Sequence, residues 1–477
     1  MKPNPTIESW ERPIDRRASL HVPSPRLDYR PVEERIQDFN EACLGYTIET
    51  ARLEASRCIQ CPDPQACVLA CPLHNDIPSA LWEISLGNFI EAANIYRQTS
   101  SFPELCGRLC PDEYLCAGSC GVGKHYPNVR LGRLEAFVCD FQRQAQGLPA
   151  FERPPHSAER AAVVGSGPAG LAAAESLIKH GRRVTVFDKN ARPGGTLAYA
   201  IPRFRLPISV LEDKIKQLEY MGVEFVTGVC VGRDIQLGDI FAADYRAVLL
   251  STGAGLERQV VLPGSALKGV WRANDFLMRT NLDPGYLAGV RVADMDIGEQ
   301  VIIFGRGHAA VDSARSAVRL GASQVICLHS GTEMDMLCRL EDRLAAEEEG
   351  VIFQHLSQPL RLEGDENDRL RNVVCQQMRP KCTENGRSSV PIDGAFYILP
   401  ADTFIFAQER GPNVQAIKAV PGLETTPSGW ITRDPQSGQT NLNGVFAAGD
   451  NAGEEHLAAF AIAEGQRVAK AMHEFIG

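Results

Sequence analysis

The sequence predicts an α/β chain in which a helical amino-terminal domain precedes two doubly wound parallel-sheet domains, the second inserted into the first. Three observations predict it. Nine of the fifteen cysteines crowd residues 58–139, a stretch with helical periodicity and little strand-like alternation. A strand, glycine turn, helix, strand succession occurs at "RAAVVGSGPAGLAAAESLIKHGRRVTVFDK" and again at "QVIIFGRGHAAVDSARSAVRLGASQVICLHS". Segments that would complete the first of these units lie far downstream, beyond the second.

At 477 residues the chain exceeds one ordinary core. The expected divisions are an extended arm over 1–32, a helical domain over 33–150, the first α/β domain over 156–255 and 409–477, and the second over 256–408. A net charge of −10 argues against nucleic acid or an anionic membrane as main partner, because both select basic faces. No apolar run approaches a membrane span. The start, "MKPNPTIESWERP", has charges and prolines where a secretion signal needs apolar residues, so a cytoplasmic location is expected. In that reducing compartment, cysteine on this scale points to metal or redox chemistry.

Six prolines and little apolar periodicity predict the extended arm. From "RPVEERIQDF" the pattern turns helical, and "IPSALWEISLGNFIEAANIY" continues it. "GLPAFERPPHS", residues 147–157, reads as a linker. Gly165, Gly167 and Gly170, with Pro168 and Ala169 between them, form G-x-G-x-x-G between a strand and a helix. The first glycine permits a tight turn, the second lets backbone approach a pyrophosphate, and the third packs helix against sheet. Asp188 ends the next strand, where an acid accepts from a ribose hydroxyl. The second turn has Gly305, Gly307 and Ala310, with Arg306 in the variable slot. His329 and Ser330 stand where an acid would mark NAD or an arginine NADP. "VLLSTGAG", containing Thr252 and Gly253, is a buried strand ending in a small-residue turn. "NLNGVFAAGDNAGEEHLAAFAIAEGQ" is strand, Gly449–Asp450, then helix, a form that can hydrogen-bond a polyol and aim a helix end at a ring carbonyl.

The cysteines fall in two runs. Cys58-x2-Cys61-x5-Cys67-x3-Cys71-Pro72 shares its first gap, last gap and proline with the ferredoxin run, although four thiolates also suit tetrahedral zinc. Cys110-x5-Cys116-x3-Cys120 supplies three sulfurs, which fits a fourth cysteine of the first run serving a second cluster, as in two-cluster ferredoxins. The scattered Cys43, Cys230, Cys327, Cys338, Cys375 and Cys382 read as small buried hydrophobes. The ten histidines read as surface or core. The acidic run "EDRLAAEEEG" reads as a solvated helix, with a docking face as the alternative.

Together "RPVEERIQDF", "CGRLCPDEYLCAGSC", "GSGPAG", "PGGTLAYAIPRFRLP", "LKGVWRANDFL", "VDSARSAVRLGA" and "VFAAGD…AIAEG" resemble the glutamate synthase small-chain family. That family is similar to the amino-terminal half of dihydropyrimidine dehydrogenase and to the large subunit of the ferredoxin-linked NADH/NADPH transhydrogenase. The resemblance implies a helical iron–sulfur domain followed by two Rossmann-like nucleotide-binding domains, with FAD at the first turn, NADPH or NADH at the second, and two [4Fe–4S] clusters. By that match Gly194, Gly195, Asp450 and the Ala461–Glu464 stretch lie near the flavin. One cluster takes Cys58, Cys61, Cys67 and Cys120; the other takes Cys71, Cys110, Cys116 and Glu135, with Cys106 and Cys139 as rivals for the fourth place.

Relatives using NADPH carry an arginine pair where this chain has "HSGTEMDM". Nothing in the sequence looks like a site for the final acceptor, so a partner redox subunit, of the glutamate synthase large-chain type, ferredoxin-linked or other, and a hetero-oligomer are expected. The alternatives are an electron-relay or bifurcating-complex subunit with weak or no nicotinamide turnover, and a zinc-bearing structural protein.

Overall fold

The structure, a computed structural model, describes residues 12–149, 159–255, 262–281, 295–383, 386–408, 411–453 and 456–477. Its first sheet is all parallel, with strand order 445–447, 245–250, 160–164, 183–188 and 224–227. The second, also parallel, runs 352–354, 324–328, 300–305, 403–407 and 270–272. The strand Val445–Ala447 returns to the first sheet after every strand of the second has been laid down, so the second domain interrupts the first.

The glycine turns close as their chemistry requires. Gly165 has φ +103°, and a Cβ there would stand 2.4 Å from the Ser251 carbonyl oxygen. A Cβ on Gly170 would stand 1.9 Å from the Gly165 carbonyl oxygen, so the helix Pro168–Lys179 packs on the turn only with glycine in that place. Both faces of the second domain's strand Gln300–Gly305 are buried: Val301 and Ile303 pack with Ala310 and Ala314 of the helix His308–Arg319. Ile302 and Phe304 pack on the other face with Val373 and Cys375. That other face is covered by a three-stranded antiparallel sheet over 357–364, 370–383 and 386–400, where helices are expected for a doubly wound domain.

The amino-terminal domain is helical, and it shares one core with the first α/β domain, from Leu81 and Leu134 through Leu171 to Ile462. Its longest helix, Leu131–Gln146, buries Leu131, Leu134, Glu135, Val138, Cys139 and Gln142, a stripe with 3–4-residue spacing. The segment expected to be extended contains a short helix, Arg16–His21, because Asp15 accepts hydrogen bonds from the backbone N–H groups of Arg17 and Ala18. Asp28–Tyr29 also pairs antiparallel with Cys43–Gly45.

The acidic run is solvated on one face only, where Glu347 and Glu348 are exposed. In Leu340–Glu348 and the residue after it, Glu341, Asp342 and Glu349 turn inward onto arginines from three other parts of the chain. Glu349 accepts from Arg35 at 2.9 Å, from Arg315 at 2.8 and 2.9 Å, and from Arg319 at 2.7 and 3.0 Å. Arg205 pairs with Asp312 and Asp342, and Phe204 lies under the guanidinium groups of Arg315 and Arg319. The acids were unreadable as buried because their partners are remote in sequence. Of the scattered cysteines, Cys43, Cys327, Cys338 and Cys375 are buried, Cys230 is half-buried, and the Cys382 side chain lies outside the described residues. Among the described residues no helix is long and apolar enough to cross a membrane.

Candidate functional site

At the first turn, Gly167 has open space where a side chain would stand. Asp188, at the end of the neighbouring strand, fastens the turn: its Oδ2 accepts from the Ser166 N–H at 2.9 Å and from Ser166 Oγ, and its Oδ1 accepts from the Asn190 N–H at 2.8 Å. Ser166 Oγ in turn accepts from the Gly194 N–H at 2.8 Å, and a Cβ on Gly195 would reach Gly167 Cα at 3.0 Å. The two glycine segments are thereby laid against each other. From the other side, Gly449 comes so near Ala169 and Ala461 that a Cβ would stand 3.0 and 3.9 Å from theirs. The Gly449 N–H donates to Glu464 Oε2 at 2.8 Å, and Arg433 pairs with the same carboxylate. Asp450 stands 3.5 Å from His456, and Gly253, after Thr252, also has open space above it. Thus the distant segments singled out in the sequence do converge on one turn. Ser166 and Arg433 were not singled out; a hydroxyl inside a G-x-G was the available signal for the first.

At the second turn Gly307 is likewise open, while a Cβ on Gly305 would stand 2.3 Å from the Ala407 carbonyl oxygen. Ala310 is fully buried. His329 follows the strand Gln324–Leu328, beside the turn. The Leu337 N–H donates to the Arg306 carbonyl at 2.7 Å, so the segment after the missing arginine pair runs alongside.

The cysteines form two groups. Cys58, Cys61, Cys67 and Cys120 act electrostatically on one another. Burial first, then the Cys120 and Cys61 sulfurs, pushes the Cys67 thiol up to about 12. Gln60 Nε2 donates to Cys58 Sγ at 3.5 Å and is itself held by Arg12, which ties the amino-terminal segment to this group. Cys71, Cys110, Cys116 and Glu135 line a single cavity, closed by Asn75, Tyr96, Cys106 and Ala459. Glu135 lies 8 % exposed, and burial, then Glu104 and Asp112, raises its carboxyl well above the usual range. Asn75 Nδ2 donates to Glu135 Oε1 at 3.2 Å. Of the two rivals, Cys106 lines the cavity; Cys139 is not in its lining and sits among Glu104 and Arg97. Ala459 is the second residue of the helix Ala458–Ile476, so the cavity reaches the helix that carries Ala461 and Glu464.

Fold and site thus define a flavin- and pyridine-nucleotide-type oxidoreductase carrying a cysteine-rich helical domain, and comparison with known proteins agrees. Residues 35–147 match the family described as dihydropyrimidine dehydrogenase domain II, 4Fe–4S cluster, and residues 159–465 match pyridine nucleotide-disulphide oxidoreductase. The chain belongs to the glutamate synthase small chain-like family of FAD and 4Fe–4S oxidoreductases. It is 32 % identical to the glutamate synthase [NADPH] small chain of Halomonas elongata, over 94 % of this chain and 95 % of that one. It is 34 % identical to the corresponding chain of Azospirillum brasilense, over 96 % and 95 %. The putative oxidoreductase AegA of Escherichia coli K12 is 31 % identical over 94 % of this chain and 69 % of its own. Among solved structures, Mycobacterium tuberculosis FprA in complex with NADPH shares the fold, with TM-score 0.55 and 17 % identity over 68 % of this chain and 85 % of that one.

Proposed function

We propose that this chain is the electron-input subunit of a larger cytoplasmic redox enzyme, exchanging electrons between NAD(P)H, FAD, two [4Fe–4S] clusters and a partner subunit in the manner of a glutamate synthase small chain. The observation that carries the reading is the cavity of Cys71, Cys110, Cys116 and Glu135, which reaches by Ala459 the helix abutting the first glycine turn. FAD, when bound, accepts a hydride and yields electrons singly, which is what a nicotinamide needs in order to supply one-electron clusters. The chain's task is to hold the groups in order and to tune them.

In this reading the first turn, Gly194–Gly195 and the Gly449–Glu464 segment hold FAD: Gly167 leaves room for its diphosphate, and the Asp188–Ser166–Gly194 bonds fix the backbone that lines it. Cys71, Cys110, Cys116 and Glu135 ligate the nearer cluster, and Cys58, Cys61, Cys67 and Cys120 the farther one. Asn75 orients the Glu135 carboxylate, and the Gln60 amide hydrogen-bonds the Cys58 sulfur; both are levers on cluster potential. The crossed sharing of the two runs favours clusters over zinc.

Metal, sulfide and flavin analysis of protein purified without oxygen tests the proposal. About eight iron atoms and about eight sulfides per FAD are expected; zinc in place of iron refutes it. Mixing with NADH and with NADPH tests the alternative of a relay without nicotinamide turnover, which predicts no flavin bleaching by either.

A further inference from the structure

We infer that the second glycine turn takes a nicotinamide dinucleotide without a 2′-phosphate, NADH and not NADPH, and that His329 reads the hydroxyl of its adenosine ribose. This rests on the reading that a nicotinamide nucleotide binds this chain at all. The strand Gln324–Leu328 lies parallel to and beside Gln300–Gly305. Its carboxyl end therefore stands next to the Gly305–Gly307 turn, which is where the adenosine ribose of a dinucleotide comes to lie on such a sheet. His329 is the next residue. It is 6 % exposed, and its Nε2 has no hydrogen-bond partner. A buried polar atom left in that state calls for a ligand or a water.

Gly331 lets the two side chains close in: a Cβ on it would stand 2.7 Å from His329 Nε2 and 2.8 Å from Asp335 Oδ2. An imidazole nitrogen and a carboxylate oxygen are thereby brought together beside the turn. Asp335 is held there by the Thr332 N–H and Oγ1, each donating to its Oδ2 at 2.7 Å. Glu333, two residues earlier, stands 2.6 Å from Arg343.

The charge beside the turn decides the ligand. Burial, then His355 and Arg306, lowers His329 to about 4, so its ring is neutral at pH 7. It offers a hydroxyl a neutral hydrogen bond, and it offers a phosphate no positive charge. A 2′-phosphate carries nearly two negative charges and would face Asp335 at close range. A ribose hydroxyl, donor and acceptor together, fits both groups. Arg306, in the turn itself, is the cation that acts on His329, and it is the residue that would have to hold a 2′-phosphate if one bound.

The test is direct binding of NAD⁺ and NADP⁺ to the full-length, flavin-loaded protein by isothermal titration calorimetry, with flavin and iron content measured on the same sample. NAD⁺ is expected to bind at least about 30-fold more tightly than NADP⁺. His329→Arg is expected to narrow that ratio about tenfold by admitting the phosphate, and Gly331→Ala to weaken NAD⁺ about tenfold by pushing His329 and Asp335 out of place. Unchanged circular dichroism and flavin content exclude misfolding of either variant. NADP⁺ binding as tightly as NAD⁺, or a ratio that His329→Arg leaves unmoved, overturns the inference alone and leaves the proposed function standing. Binding of neither nucleotide to protein with its full flavin and iron overturns the inference together with the nicotinamide half of that function.

Discussion

Replacing Glu349 with glutamine is expected to destabilise the protein by about 3 kcal/mol at pH 7. The magnitude follows from the knot around it. Three guanidinium groups, from Arg35, Arg315 and Arg319, converge on one carboxylate whose side chain has no exposed surface. Burial alone would raise that carboxyl, but the hydrogen bonds from Arg315 and Arg319 outweigh it and hold it down at about 2, against an ordinary value of 4.5. At about 1.4 kcal/mol per pH unit this linkage is worth about 3 kcal/mol. Removing one partner of a buried ion pair independently costs about 3–5 kcal/mol. The sign with pH is fixed as well. The folded value is depressed, so the contribution is complete above about pH 4.5 and is lost as the pH falls towards 2. Urea unfolding of the anaerobic holoprotein, followed by circular dichroism, gives the difference from midpoints and slopes. A loss below about 1 kcal/mol at pH 7, or a gap between the two proteins that widens from pH 7 to pH 4.5, refutes the reasoning.

Three further outcomes are expected. Gly170→Ala would drive a Cβ to 1.9 Å from the Gly165 carbonyl oxygen, so purified protein should retain less than about a tenth of its flavin, read from visible absorbance. Glu135→Ala should lose about half the iron by removing one ligand of one cluster, whereas Glu135→Cys should keep the iron and move a cluster potential, measured by electron paramagnetic resonance during redox titration. His308 is lowered to about 3, by burial first and then by Arg205, so it excludes a proton that the unfolded chain binds. Stability should therefore fall as the pH drops below about 6.5, by about 1.4 kcal/mol per pH unit for this group, and His308→Gln should flatten that slope in urea unfolding at pH 7 and 5.

What the sequence made legible is the backbone chemistry. Gly165 and Gly170 could be read because each does something only glycine does, Gly167 because it leaves the space beside the turn open, and the cysteine runs stood out because sulfur at those spacings has few other uses. Glu135 came through the family likeness, yet it also had a signal of its own: a glutamate on the apolar stripe of Leu131–Gln146. The long-range polar chemistry was illegible. Arg35 and Glu349 are 314 positions apart, and neither flank tells which arginine an acid will meet. The acidic run consequently read as solvated when Asp342 and Glu349 are buried and Glu341 is half-buried. Two motifs that identified the family, "RPVEERIQDF" and "PGGTLAYAIPRFRLP", have a structural use the sequence did not disclose: Arg35, Phe204 and Arg205 fasten the second α/β domain to the rest. The antiparallel sheet was missed although the sequence marks its turns, with "GDEND" at 364–368 and with Asn385–Gly386, because the second glycine unit led to helices being expected on both faces.

The central claim, that electrons enter in pairs at a flavin and leave singly across iron held by Cys71, Cys110, Cys116 and Glu135, is tested most directly by one experiment. Oxygen-free protein is mixed rapidly with NADH, and flavin absorbance and cluster paramagnetism are followed together. Bleaching of the flavin first, with a reduced-cluster signal growing afterwards and altered in Glu135→Cys, is the predicted course. Bleaching with no cluster signal at any time, or a signal identical in the variant, contradicts it.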